Sequence, residues 1–184
     1  LFNPVRGFYV IIPIEKKFSG TIDPLWYIDD LMKYEKKNYY IGVLSAASLH
    51  GASHQAPQEL QVVIGSQLKP IEGKNFRIRF LQKKNLAKTN IEKIKTPTGY
   101  VPTSSPEETA FDLVRYLRWA GQSNNVVTIL QEISNKMDAD KLLKVAQSQK
   151  ELTLTQRLGF LLDMIGMQKL TKKNASPLML WFDH

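Results

Sequence analysis

YYIGVLSAASLHGASHQAPQELQVVI, residues 39–64, is the stretch from which the architecture of this chain is read. The paired aromatics Tyr39 and Tyr40 lead into a short helix, Val43 to His50, and Leu60 to Ile64 then reads as a strand. Ser45, Ala46, Ala47 and Ser48 stand in a row on that helix, so its backbone can approach a neighbouring sheet or helix closely. Gly51 supplies the helix stop.

Upstream of it, RGFYVIIP (Arg6 to Pro13) is rich in β-formers and predicts a short strand ended by Pro13. A helix start follows near Ile22, with Asp23 as cap and Pro24 in the first turn. Leu25, Ile28, Leu31 and Met32 give that helix an apolar stripe, and Lys33, Lys36 and Lys37 gather at the end where the helix dipole favours positive charge. Beyond the turn-rich GSQLKPIEGKN, the alternation of Phe76, Ile78 and Phe80 with Arg77, Arg79 and Leu81 predicts a strand with one buried and one mostly solvated face. Lys83 to Lys95 then reads as a lysine-rich loop, and Gly99 to Pro102 as a short extended segment.

Ser105-Pro106-Glu107-Glu108 satisfies a capping box and predicts a helix running to Ala120, with Phe111, Val114 and Leu117 on one face and Gly121 as its stop. Further helices are expected over 125–136, 139–147 and 155–167, with Asp138 and Thr155 as caps. Leu178 to Phe182 fits either a strand or a helical turn. Strands early and helices late argue for an α+β fold, a mixed sheet packed by several helices, because a doubly wound parallel sheet needs regular alternation.

The 184 residues suffice for one sizeable core, and no run approaches the roughly 18 apolar residues of a membrane span, so no membrane partner is expected. Lysine and arginine outnumber aspartate and glutamate by 25 to 17, a formal charge of +8 that favours contact with polyanions such as DNA. The absence of cysteine excludes disulfides and thiolate metal sites and fits a cytoplasmic setting. With Leu1 first and no signal-peptide pattern, the chain is expected to begin partway through a longer protein.

Chemistry-bearing patterns are sparse. His50 and His54 are four apart, but Gly51 between them interrupts the helix that would present both rings to one metal. Glu15-Lys16-Lys17 and Glu72-Gly73-Lys74 match the carboxylate-x-lysine triplet of PD-(D/E)xK nucleases, which makes a divergent metal-dependent nuclease the alternative reading. Glu107, Glu108 and Asp112 cluster at a helix start, where capping and dipole complementarity account for them. There is no phosphate loop and no nucleophile elbow. Neither a catalytic residue, a cofactor nor a metal is expected. The candidate DNA contacts are Arg6, Lys16 and Lys17 around the first strand and Lys83, Lys84 and Lys88 in the lysine-rich stretch.

RGFYVIIP, IDDLMKY (Ile28 to Tyr34), YYIGVLSAASLHGA, QELQVVI (Gln58 to Ile64), SPEETAFDLVRY (Ser105 to Tyr116) and QRLGFLLDMIG (Gln156 to Gly166), in that order, resemble the AbiEi antitoxins, the regulator half of abortive-infection type IV toxin/antitoxin systems. The resemblance implies an N-terminal winged helix-turn-helix followed by a C-terminal antitoxin domain. Residues 1–14 would then be the remnant of the wing and 15–184 the antitoxin domain. It also implies a non-enzymatic autorepressor that binds operator DNA and counteracts a nucleotidyltransferase-like toxin without a stable complex.

Overall fold

Small and β-branched residues between Tyr39 and Ile64 give this chain its centre. The structure, a computed structural model, describes residues 2–11, 22–52, 57–73 and 75–171. Strand β1 (Phe2–Val5) pairs antiparallel with β2 (Phe8–Val10) as a separate two-stranded sheet. Pro24–Trp26 forms a single 3-10 turn, capped by Asp23 through a 2.9 Å bond from the Leu25 amide, and leads into helix α1 (Ile28–Tyr34).

The main sheet has six strands: β3 (Tyr39–Ile41), β4 (Leu60–Ile64), β5 (Ile71–Glu72), β6 (Arg77–Gln82), β7 (Ile91–Thr96) and β8 (Gly99–Ser104). Their order is β5-β6-β4-β3-β8-β7, with β3 antiparallel to β4 but parallel to β8, and β4 parallel to β6. Helix α2 (Val43–Leu49) joins β3 to the segment before β4. Helices α3 (Pro106–Arg115), α4 (Gln122–Ile133), α5 (Ala139–Gln149), α6 (Leu152–Met164) and α7 (Gln168–Thr171) follow the last strand. This is the mixed α+β arrangement expected from the order of strands and helices.

Both faces of the sheet are covered, which corrects the reading of β6 as half solvated. On one face Tyr39, Ile41, Val62, Ile64 and Ile78 pack with Ile28, Leu31 and Met32 of α1 and with Val10 of the hairpin. On the other, Tyr40, Val63 and Leu81 pack with Phe111, Leu130, Leu142 and Leu158 from the helical half. Ile78 and Leu81 thus serve different cores, while Arg77 pairs with Glu72 of the edge strand and Arg79 is held by Glu59 over the Trp119 ring.

Helix α2 passes close to the sheet, as its run of small residues permits. At Gly42 a Cβ would sit 2.6 Å from a Val63 methyl, so the approach excludes any side chain. Val43 next to it adopts a left-handed φ of 53°, a conformation that costs a β-branched residue about 1–2 kcal/mol and is held by complete burial of its side chain. The Gln61 side chain accepts from the Leu44 amide at 2.9 Å and donates to the Trp119 carbonyl at 2.8 Å, tying the start of α2 to the turn after α3.

Several boundaries differ from the sequence expectation. The Lys83 to Lys95 stretch is not all loop: Ile91–Thr96 pairs with β8 as the outer strand of the sheet, where exposed Glu92, Lys93 and Lys95 oppose pairing with another chain. Helix α3 ends at Arg115 rather than Ala120, because residues 116–121 form a turn that ends at Gly121 with φ of 77°. Helix α6 starts at Leu152, one residue after Glu151, so Thr155 lies inside it and its hydroxyl donates to the Glu151 carbonyl instead of capping. The Asp138 cap stands as expected, accepting from the amides of Asp140 and Lys141 at 3.0 Å each. The boundary expected at residue 14 and the segment Leu178 to Phe182 lie outside the described residues.

Candidate nucleic-acid interface

The loop between β6 and β7 carries Lys83, Lys84 and Lys88, and one apolar anchor sets its posture. Leu86, in the short 3-10 turn Leu86–Lys88, packs against the helical core, which leaves Lys84 and Lys88 exposed on either side of it. Two clefts meet at this loop and share Lys84, Asn85 and Lys88. One, of about 510 Å³, is completed by Lys36, Lys37, Asn38, Gly65 and Ser66. The other, of about 350 Å³, is completed by Gln82, Arg115, Tyr116, Ser148, Gln149 and Glu151, with the inward-turned Lys83 at its inner end. Among the described residues, Lys36, Lys37, Lys84 and Lys88 form no ion pair with a carboxylate. Unneutralised ammonium groups on long stems around a concave surface are what a phosphate backbone requires, since such contacts need charge and reach rather than fixed geometry.

Lys83 does not belong with these groups, although it stands next to Lys84 in sequence. The strand alternation turns its side chain inward, where it is 6% exposed and its Nζ lies 2.5 Å from Glu108 Oε1 and 3.7 Å from Asp112 Oδ1. Its placement among surface DNA contacts is therefore corrected: its charge is spent inside the protein. Arg6 is exposed at the turn of the β1–β2 hairpin, where its carbonyl accepts from the Tyr34 hydroxyl at 3.2 Å, and it lines neither cleft. Lys16 and Lys17 lie outside the described residues. Lys36 and Lys37, attributed from sequence to helix-dipole complementarity, are the members of the basic surface that sequence reasoning missed. Their proximity to Lys84 arises from sheet topology and has no local signal.

Beneath the second cleft lies a buried ionic cluster. Glu107, Glu108 and Asp112 on α3 are each at most 1% exposed, so capping and dipole complementarity do not describe them fully. Ser105 accepts from the Glu108 amide at 3.2 Å as a cap should, but the Glu108 carboxylate does not reach back; it takes Lys83, the Gln149 amide and, at 3.3 Å, the Asn90 amide. Glu107 accepts from the Asp138 amide at 3.0 Å and so fixes the start of α5 against α3. Asp112 accepts from the Tyr40 hydroxyl at 2.8 Å. Burial raises the Asp112 carboxyl to about 6, with Lys83 pulling against it, Glu108 adding to it, and Tyr40 and Arg115 opposing. Burial, reinforced by Asp112, likewise holds the Tyr40 hydroxyl well above its ordinary value. Arg115 donates to both oxygens of Glu151 at 2.7 Å and to the side-chain oxygen Oε1 of Gln149 at 2.5 Å. The protein's own donors thus engage Glu108 and one oxygen each of Glu107 and Asp112, while Glu107 Oε2 and Asp112 Oδ1 are buried without a hydrogen bond among the described residues; the i, i+4 spacing of Glu108 and Asp112 was the one sequence hint that they share a side of α3.

Among the described residues no group of three or more His, Asp or Glu side chains is arranged to hold a metal ion. His50 is buried, with Nε2 2.7 Å from the Ser104 carbonyl, while His54 lies outside the described residues. Glu72 sits on the edge strand β5, 61% exposed and 2.7 Å from Arg77, and its expected partner Lys74, like Glu15, lies outside the described residues. No helix among the described residues is long and apolar enough to cross a membrane.

A family model described as the AbiEi antitoxin C-terminal domain matches residues 40–164, from β3 to the end of α6. Among curated proteins none matches this chain. Among solved structures, the RV2827C protein from Mycobacterium tuberculosis is similar in fold, with a TM-score of 0.57 at 14% identity over 82% of this chain. The present chain covers 56% of that protein's length. An antigenic nucleotidyltransferase-like protein from Paracoccidioides brasiliensis aligns with a TM-score of 0.43 at 8% identity, over 71% of this chain and 88% of its own, too loosely to carry an argument.

Proposed function

The chain belongs to the AbiEi antitoxin family, and from that premise we propose that it is the antitoxin and transcriptional autorepressor of a type IV toxin/antitoxin operon. In this reading it is non-enzymatic and cytoplasmic, and it counteracts a nucleotidyltransferase-like toxin without a stable complex. Residues 1–14 are the end of a winged-helix wing, and residues 15–184 are the antitoxin domain that orients it on operator DNA. The β1–β2 hairpin, a sheet of its own with exposed Arg6 at its turn, supports this reading, as does its packing of Val10 onto the α1 face of the main sheet. A non-catalytic role fits the engagement of Glu107, Glu108 and Asp112 by protein donors.

The observation that carries the DNA role of this domain is the convergence of Lys36, Lys37, Lys84 and Lys88, without carboxylate partners among the described residues, on clefts that share one loop. Lysines at such a surface add sequence-independent phosphate contacts to whatever the winged helix reads. The test is a titration of the protein, extended at its N-terminus by the winged-helix domain, against its own promoter fragment and a scrambled fragment. Tighter binding to the promoter, weakening steeply with salt, is the expected result. Equal affinity for both fragments contradicts the autorepressor reading.

A further inference from the structure

Helix α6 carries apolar residues on two faces; the core takes one of them, and of the other it takes Leu161 in part. Leu154, Leu158 and Leu162 are buried against the helical half of the protein. Arg157, Phe160, Leu161 and Met164 recur at i, i+3, i+4 and i+7, which gathers them on a second face, and there Phe160 is 66% and Met164 56% exposed. Beside this stripe runs a cleft of about 390 Å³ whose floor is Val114, Leu117 and Leu161 and whose wall is Trp119. Two exposed apolar side chains beside a mostly apolar cleft offer a surface on which a partner's side chains could be buried.

The charges around the cleft define what fits it. Arg118 and Arg157 line it and form no ion pair with a carboxylate among the described residues. Arg118 lies 5.1 Å from the Trp119 ring centroid, and the Arg79 guanidinium covers that ring at 3.8 Å, so the indole is fixed as a rigid wall. Arg115, also at the cleft, is already held by Glu151. A second copy of this chain docked face to face would set Arg118 and Arg157 against the same cations, which disfavours self-association. The concavity favours an inserted side chain over a flat lipid surface.

From this the geometry points to the α3–α6 cleft as a docking site for an acidic amphipathic helix of a partner protein. Apolar side chains of that helix insert beside Phe160, and its flanking carboxylates pair with Arg118 and Arg157. Resting on the antitoxin reading above, this face is where the domain exerts its antitoxic effect, through a transient contact, and it adjoins the second lysine cleft, with which it shares Arg115 and Tyr116.

The test pairs a binding experiment, which needs no assumption about function, with a functional one. A synthetic helical peptide with leucine at i, i+3, i+4 and i+7 and glutamates flanking that stripe is titrated against the full chain by calorimetry, beside a lysine-flanked twin and vesicles of anionic phospholipid. The expected result is binding of the acidic peptide alone, weakened about tenfold or more by Phe160→Ser or Arg157→Glu. The lysine-flanked twin gains affinity for an Arg118→Glu/Arg157→Glu variant. Equal binding of both peptides, insensitivity to the substitutions, or binding of the vesicles in preference to the peptide overturns the docking site. So does acidic-peptide binding that appears only after residues 172–184 are removed, since the chain's own tail is then the occupant. In cells, Phe160→Ser should lose protection against the cognate toxin while promoter repression persists. Intact protection by the variant overturns the assignment of the antitoxic face, whereas lack of protection by the unaltered protein refutes the antitoxin reading itself.

Discussion

Replacing Lys83 by methionine isolates the strongest energetic claim made for the core. The side chain is 6% exposed and its partners Glu108 and Asp112 are fully buried, so among the described residues the substitution leaves Glu108 buried without a cation and Asp112 with only the Arg115 guanidinium at 3.9 Å. Breaking such a pair from one side costs about 3–5 kcal/mol, a large fraction of the roughly 5–15 kcal/mol that holds a domain folded. With a urea dependence of about 2 kcal/mol per molar, the unfolding midpoint should fall by about 2 M. The loss should also depend on pH. Without Lys83, which pulls the Asp112 carboxyl down, the folded state keeps that carboxyl protonated to higher pH than the unfolded chain does, so stability rises as pH falls and the deficit at pH 5 is smaller than at pH 8. Lys84→Met is the control: one residue away but exposed, it should change stability by no more than about 0.5 kcal/mol. Urea titrations followed by tryptophan fluorescence at the two pH values measure all of this. If Lys83→Met were as stable as Lys84→Met at pH 8, the buried ion cluster would be refuted.

Other consequences are as direct. The Asp112 carboxyl, raised to about 6 from 3.8, is protonated more in the folded than in the unfolded chain between those values, so its contribution to stability falls by about 3 kcal/mol as pH rises through that window. Asp112→Asn should flatten the stability curve there, and a variant curve parallel to the original from pH 4 to 6 would count against the shift. Gly42→Ala places a methyl 2.6 Å from Val63 and should cost about 1–3 kcal/mol, read as a lowered melting temperature. Gly65→Ala, with open space around it, should be close to neutral, and a Gly42→Ala protein that melts with it would show that α2 lies farther from the sheet. His50→Ala should destabilise the protein by about 1–3 kcal/mol without affecting metal content, because it leaves the buried Ser104 carbonyl without that bond.

Local chemistry made much of the fold legible. Asp23, Ser105 and Asp138 each accept the amides that their positions implied, and Leu60–Ile64 is a strand because its apolar residues serve cores on both faces. What escaped was set by residues distant in sequence. Lys83 and Glu108 are 25 residues apart, and nothing in the lysine run marks which member turns inward. Ile91–Thr96 is a strand because β8 is there to pair with it, although its charged composition resembles a loop. Lys36 and Lys37 meet Lys84 only because β3, β4 and β6 lie side by side in the sheet. The exposure of Phe160 and Met164 on α6 was not read from the sequence, because which apolar residues of that helix the core takes depends on how the helices pack.

Central to the proposed function is that the lysine loop of this antitoxin domain touches DNA phosphates. The salt dependence of promoter affinity addresses it most directly, measured for the protein extended by the winged-helix domain proposed for it, with and without Lys84→Ala/Lys88→Ala. Each phosphate that a lysine no longer neutralises should make the log–log salt slope shallower by about 0.9, so the double variant should bind more weakly with a slope shallower by about 2. An unchanged slope and affinity would contradict the role of this loop.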